Sequence, residues 1–371
     1  MNIAVTELRR RPSRFVTTTV ILTLLATLLM LLGGLLDGLI AGSTGAINAQ
    51  RADVFVYGAT AERSIPRSRI APENRTTIEG VDGVEEVGGI GVVQLGARVP
   101  GNAARDLAPV ALFGYQLSPE GVPAPPEAGT AYADRTLEAN GVAVGETLQV
   151  GPARTQVKVV GWVDGLAYAG QGTLWASTDT WRTATAANRP DAVVGAEDFQ
   201  ALLVRAGSGV DATELARRID RSTDGATDSL ALAAAVEAIP GVTEQRSTFN
   251  QIIGVTIVIA VVVVALFFAL LTVERTALYG VLKAIGATSG RLFRGVLLQA
   301  VVVTAIAATV GAVIAVGLDL LIPPGSIPFT LEPARVVSSV AFLLVAAVIG
   351  CAFSLRRVLR IDPASAIGSS T

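Results

Sequence analysis

Among its 371 residues the chain has no histidine, one cysteine and two lysines, Lys158 and Lys283. Without histidine, the usual nucleophile–base pairs of hydrolases cannot be assembled, and the commonest ligand for metals and haem iron is missing. The single cysteine, Cys351, allows neither an intrachain disulfide framework nor a cysteine-type metal site. The lysines exclude a nucleotide motor within the chain. A P-loop requires Gly-x-x-x-x-Gly-Lys followed by Ser or Thr, whereas Lys158 is followed by Val159 and Lys283 by Ala284. Charge is scarce too, at 16% against 51% hydrophobic residues, and the mean hydropathy of +0.55 lies outside the usual soluble range. No catalytic or metal site is expected.

What is present instead is four long apolar runs, about 15–40, 252–273, 295–318 and 336–355, each able to cross a hydrocarbon core roughly 30 Å thick. Arg-rich residues precede the first run, as in a signal peptide. Its apolar stretch is longer than a signal h-region and no A-x-A site follows, so it reads as a span. The ends assigned to the cytoplasm carry Arg9, Arg10, Arg11, Arg14, Arg275, Lys283, Arg291, Arg294, Arg356, Arg357 and Arg360 against Glu7, Glu274 and Asp362. The segment 43–250 holds 17 basic and 25 acidic residues. Basic residues mark the inner side, so both termini are expected inside a cell membrane and the long segment outside.

The expected fold class is therefore an α-helical membrane protein with one plus three spans and a mixed α/β extracytoplasmic domain between the first and second. Its parts are an amphipathic N-terminus with the first span (1–42), the α/β domain (43–250), and the remaining spans with a short basic tail (251–371). Strands are expected at Val54–Tyr57, Val110–Phe113, Thr147–Val150 and Val157–Val163, and helices near Pro72–Ile78, Asp134–Ala139, Asp211–Ile219 and Leu230–Ala238. Residues 78–84 echo 236–242 as a helix, a glycine stop and an apolar strand start, a pattern that fits two αβ units packed together.

Several features carry functional alternatives. Gly34, Gly38 and Gly42 lie four apart in the outer half of the first span, a stripe suited to close helix packing, either within the chain or across a dimer. Asp37 sits among them and Asp319 near the outer end of span three. An intramembrane carboxylate is a candidate substrate contact unless it reaches water at the interface. Trp162, Tyr168, Trp175 and Trp181 cluster outside, as domain core or as a binding surface. Tyr168 lies in the Gly/Ala-rich run Asp164–Gly170, which predicts an exposed phenol. Met30 in the first span and Tyr57 and Tyr168 in the outer segment are further candidate substrate contacts.

The most informative stretch is 274–288, between two apolar runs. Leu278, Val281, Leu282 and Ile285 recur there at helical spacing against Glu274, Arg275 and Lys283, which predicts a short interfacial helix. Tyr279-Gly280-Val281-Leu282-Lys283-Ala284-Ile285-Gly286, Gln299, Ile327-Pro328-Phe329 and the C-terminal 361–368 run Ile-Asp-Pro-Ala-Ser-Ala-Ile-Gly together resemble ABC-transporter permeases of the MacB/FtsX-like superfamily, and within it the haem-exporting, Hrt-type permeases. The resemblance covers the membrane half well and the α/β domain loosely. It implies a homodimer on two copies of a cytoplasmic ABC ATPase subunit that uses the ATP. It also implies that Glu274, Arg275, Tyr279, Gly280, Leu282, Lys283, Ala284 and Gly286 belong to the coupling helix. The cargo it suggests is hydrophobic or amphipathic, with haem as the substrate rather than a resident cofactor. The alternative is a non-transporting permease that transmits ATPase motion to an external enzyme or sensor. An importer of polar solutes fits poorly, because the spans lack polar lining groups. Beyond the ATPase and the lipid bilayer no partner is expected, nucleic acid included.

Overall fold

The computed structural model describes residues 13–103, 105–192, 194–274, 288–323 and 325–359. The elements run in the order α1 (Ser13–Asn48), β1 (Val54–Gly58), α2 (Pro72–Glu79), β2 (Val84–Arg98), β3 (Leu107–Tyr115), β4 (Thr130–Asp134), β5 (Thr147–Val150), β6 (Thr155–Val163) and β7 (Gly172–Ala176). Then come α3 (Thr178–Asn188), β8 (Ala201–Ala206), α4 (Ala212–Ser222), β9 (Thr227–Ala231), α5 (Leu232–Glu237), α6 (Val242–Glu274), α7 (Ser289–Leu321) and α8 (Pro333–Leu359). The chain divides into a helical unit (1–38, 247–321, 329–371) and a sheet unit (39–246, 322–328).

In the helical unit, α1, α6, α7 and α8 are the four helices, among the described residues, long and apolar enough to cross a membrane. The expected fold class, four apolar helices with a mixed α/β domain between the first and second, is the one found. Small residues make the helix contacts: Ala26, Ala260, Ala300, Ala307, Ala308, Ala346 and Ala347 are buried. A Cβ on Gly311 would lie 2.7 Å from that of Ala26, and one on Gly350 2.7 Å from the Val261 carbonyl oxygen. Lipid tails are as apolar as leucine, so helices gain little from hydrophobicity alone. Close backbone approach, which only small side chains permit, supplies the contact energy.

The sheet unit contains two αβ units, β1–α2–β2 and β8–α4–β9. Their strands form the antiparallel order β2-β8-β1-β9, the split βαβ arrangement. The stretch between β2 and β8 builds a second body. The C-terminal half of the 15-residue β2 pairs with both β3 and β5, and the ring β2-β3-β7-β4-β6-β5 closes into a six-stranded barrel. Strand alternation then feeds two cores. Val54, Val56, Val110 and Leu112 point into one, Phe55, Tyr57, Ala111 and Phe113 into the other.

Two αβ units were expected, but the echo mispaired them. After Gly241 the chain starts the long helix α6 at Val242, not a strand, and the true partner of α2–β2 is α4–β9. The four expected strands are present. The helix expected at 134–139 is a 3-10 turn, Arg135–Asn140, and the one expected from Leu230 begins only after β9. The echo placed a strand start at Val84, where β2 begins, but the extent of the strand to Arg98 went unforeseen because glycines interrupt its pattern. Those glycines are seats for rings: a Cβ on Gly89 would fall 2.2 Å from Phe199, and one on Gly91 2.0 Å from Trp181.

Candidate functional site at the outer end of the first span

In the helical unit, residues 329–335 run across one face of α1. A Cβ on Gly34 would lie 2.5 Å from the Phe329 ring, and the Thr330 amide donates to the Gly34 carbonyl at 3.1 Å. The aliphatic stem of Arg335 passes over Gly33, where a Cβ would sit 2.5 Å from its Cδ. Its guanidinium then grips Asp37, one turn on, with Nε to Oδ2 at 2.9 Å and Nη2 to Oδ1 at 2.5 Å. The two side chains are 26% and 14% exposed, so this is a bidentate ion pair largely shielded by protein. Asp37 is thus not a lone intramembrane acid. Arg335 was missed in the sequence, although an arginine opening the fourth run on the side otherwise poor in basic residues was a visible anomaly. Gly34 and Gly38 of the stripe are buried, and Gly34 is filled from within the chain. Gly42 has open space around it.

In the sheet unit, the last turns of α1 meet a tight hairpin. Ala169 and Gly170 both have positive φ (50° and 75°), and Tyr168 and Gln171 exchange two backbone bonds of 2.9 Å, a two-residue turn of the primed class. The turn amides of Ala169 and Gly170 donate to the carbonyls of Ser43 and Gly42, at 3.0 and 2.9 Å. The Ala46 amide donates to Ala167 O at 3.0 Å. Gly42 C=O and Ala46 N–H are groups that a regular helix joins to each other, and the hairpin engages both. Gly45 makes the approach possible, since a Cβ there would lie 2.4 Å from Gly165 O. On its other side the hairpin is held by buried Asp134. That carboxylate accepts from Leu166 N at 2.7 Å and from Thr136 N and Oγ1 at 2.9 and 2.5 Å.

This anchoring corrects the expectation of an exposed Tyr168. The residue is 7% exposed, edge-on to Phe113 at 5.3 Å, and burial pushes its phenol up to about 12. Tyr57 is also enclosed and stacks on Phe55 at 4.7 Å. Burial first, then Tyr168 and Asp228, raise its phenol further. Both therefore stay neutral and inside the same core. Trp175 and Trp181 are core as well, while Trp162 is half-buried beneath Arg135. Met30 is fully enclosed in α1, away from solvent and lipid. Of the coupling residues, Glu274 ends α6 and is exposed. Arg275, Tyr279, Gly280, Leu282, Lys283, Ala284 and Gly286 lie outside the described residues, as does 361–368.

Residues 250–363 match the family described as FtsX-like permease, C-terminal. A protein of Staphylococcus epidermidis (strain ATCC 35984), provisionally named the hemin transport system permease protein HrtB, is 30% identical over 125 residues, covering 34% of this chain and 35% of its own length. An uncharacterised ABC transporter permease of Mycobacterium tuberculosis (strain H37Rv) is 39% identical over 118 residues, covering 30% and 31%. The chain thus spans about a third of the length of the curated relatives it matches. Among solved structures, the periplasmic region of MacB from Actinobacillus actinomycetemcomitans aligns over 53% of this chain and 96% of that one, at 12% identity and a TM-score of 0.36. The segment 250–363 carries an FtsX-like permease domain, where the resemblance was read.

Proposed function

We propose that the chain is the membrane subunit of an ABC exporter. It sits in the cell membrane with both termini cytoplasmic and the sheet unit outside, and is driven by ATP hydrolysed in two copies of a separate ATPase subunit. The observation that carries this reading is the FtsX-like permease segment in a chain whose sequence holds no P-loop. The cargo is hydrophobic or amphipathic. The Asp37 and Arg335 charges are tied up with each other, and alanine and glycine fill the described contacts between the long helices, so a water-filled channel has little to line it. Haem is the leading candidate, on the name of the staphylococcal relative. We assign the 274–288 stretch as the coupling helix and the free face of the glycine stripe around Gly42 as part of a homodimer seam.

The test is reconstitution with the ATPase in liposomes. Leu282→Ala or Gly286→Leu should lower export and substrate-stimulated ATP hydrolysis at least tenfold while leaving expression intact. Undiminished export in both variants sinks the coupling assignment. Haem titration, followed at the Soret band, checks the cargo. Burial keeps the Tyr57 and Tyr168 phenols protonated, Met30 is enclosed and Asp37 is bonded to Arg335, so a cargo contact through any of the four requires its present packing to open.

One observation favours the force-transmitting alternative. The hairpin 165–171 is bonded into the end of α1, so displacement of that helix end is passed to the barrel through hydrogen bonds. ATP-dependent motion of the sheet unit without loss of any cargo from the bilayer is the outcome that selects it.

A further inference from the structure

A second feature lies wholly within the sheet unit. Between α2 and the loop 195–199 is a cleft of about 330 Å³, at the lower end of the range of roughly 300–1,000 Å³ typical of small-molecule sites. Its floor is Phe199, seated on Gly89 and flanked by two guanidinium groups, Arg182 at 4.8 Å and Arg75 at 5.7 Å from the ring centroid.

The two arginines differ in what they have left to offer. Arg75 is bonded through all three of its nitrogens, with Nε on Glu79, Nη1 on the Gln116 side chain and Nη2 on the Val87 carbonyl. Arg182 donates to two neutral carbonyls, through Nε to Gly195 at 3.3 Å and Nη2 to Asp198 at 3.0 Å. It forms no ion pair among the described residues, and its Nη1 is open. Burial pulls this guanidinium below its ordinary value, against the opposing pull of Asp179 and Asp198. A cation partly taken out of water without a bonded carboxylate is a costly arrangement unless something else supplies the anion. On the same loop Glu197 lines the cleft, exposed, with no ion pair among the described residues. The Arg75–Glu79 pair cancels itself, so the cleft offers one open positive and one open negative group. That balance repels a polyanion from one wall and a polycation from the other.

We propose that this cleft binds a small zwitterion, a free amino acid or short peptide, with its carboxylate on Arg182, its ammonium on Glu197 and its apolar part against Pro72. The loop 195–198 that holds the Arg182 guanidinium by its carbonyls also carries Glu197, so both anchors are set by one stretch of backbone.

The experiment is calorimetric titration of the full chain in lipid nanodiscs with L-alanine and L-alanyl-L-alanine, each also in N-acetylated and C-amidated form. Saturable binding of a zwitterion, weakened about tenfold by either cap, is the expected result, since each cap removes one charge-assisted bond. Whichever of the two zwitterions binds identifies the source. Arg182→Gln should abolish binding. Because that side chain also ties down its loop, Glu197→Gln, on an exposed residue, is the second variant. It should weaken the zwitterion about tenfold and leave the N-acetylated form unchanged. Failure of both zwitterions to bind, equal binding of capped and uncapped forms, or undiminished binding in Glu197→Gln overturns the proposal. No ATPase is needed, so the export reading and this site stand or fall separately.

Discussion

Apart from Gly34 under the Phe329 ring and Gly45 beside the Gly165 carbonyl, the two units put glycine to different uses. In the helical unit, glycine lets backbone approach backbone: Gly350 faces the Val261 carbonyl and Gly311 the Ala26 turn. In the sheet unit it makes room for the largest side chains, with Trp181 over Gly91 and Phe199 over Gly89. The difference follows from the surroundings. A helix in lipid has little to gain from burying a large ring, because the tails already solvate it, so close contact is what remains. A domain facing water gains about 2–3 kcal/mol for each large apolar side chain removed from solvent, and a flat glycine surface is where an indole fits. Charge follows the same division. The pairs of the sheet unit, such as Arg67–Glu62, lie on its surface, whereas the helical unit holds one shielded pair among its described residues.

The sharpest way to break this comparison is to fill a ring seat. Gly91→Val would put a methyl-bearing carbon where Trp181 stands, 2.0 Å from its ring, and should cost at least 3 kcal/mol. Denaturant unfolding of the full chain in detergent, followed by tryptophan fluorescence, measures it. A loss below about 1 kcal/mol would show that the seat is not needed.

Arg335→Gln tests the shielded charge. It leaves Asp37 without its partner and should lower stability by about 3 kcal/mol. If the cost is an uncompensated carboxylate, the double variant Asp37→Asn with Arg335→Gln recovers most of the loss. A double variant as unstable as the single one would assign the cost to lost packing over Gly33 instead.

The smallest effect separates the units by pH. Among the described residues the buried phenols are in the sheet unit, where burial raises Tyr57, Tyr115 and Tyr168, the last from 10.0 to about 12. A phenol whose folded value is raised stays protonated in the fold while the unfolded chain ionises. Its contribution is intact below about pH 10 and falls away between 10 and 12. Tyr168 alone should account for on the order of 2 kcal/mol at the upper end, and Tyr168→Phe should flatten that slope. Circular dichroism across this range should show strand signal lost before helix signal; simultaneous loss contradicts the assignment.

How much could be read without coordinates depended on whether the signal was local. Span-length apolar runs, the strands at Val54, Val110, Thr147 and Val157, and the split into membrane helices around an α/β domain are written in hydropathy and alternation, which neighbouring residues decide between them. The full length of strand β2 was hidden because its glycines serve Trp181 and Phe199, residues about a hundred positions away. Tyr168 looked exposed because glycine and alanine usually mark a loop tip. Here they mark the place where a hairpin backbone meets a helix backbone.

The amino-acid order alone was enough for the membrane character, the lack of a P-loop and the permease resemblance of the last third, because all three rest on composition or on contiguous motifs. Only the folded chain could pair Asp37 with Arg335, 298 residues apart, or bring Arg182 and Glu197 to one cleft. Such pairings depend on how strands and helices cross in space, and no local pattern of side chains encodes a distance between remote positions.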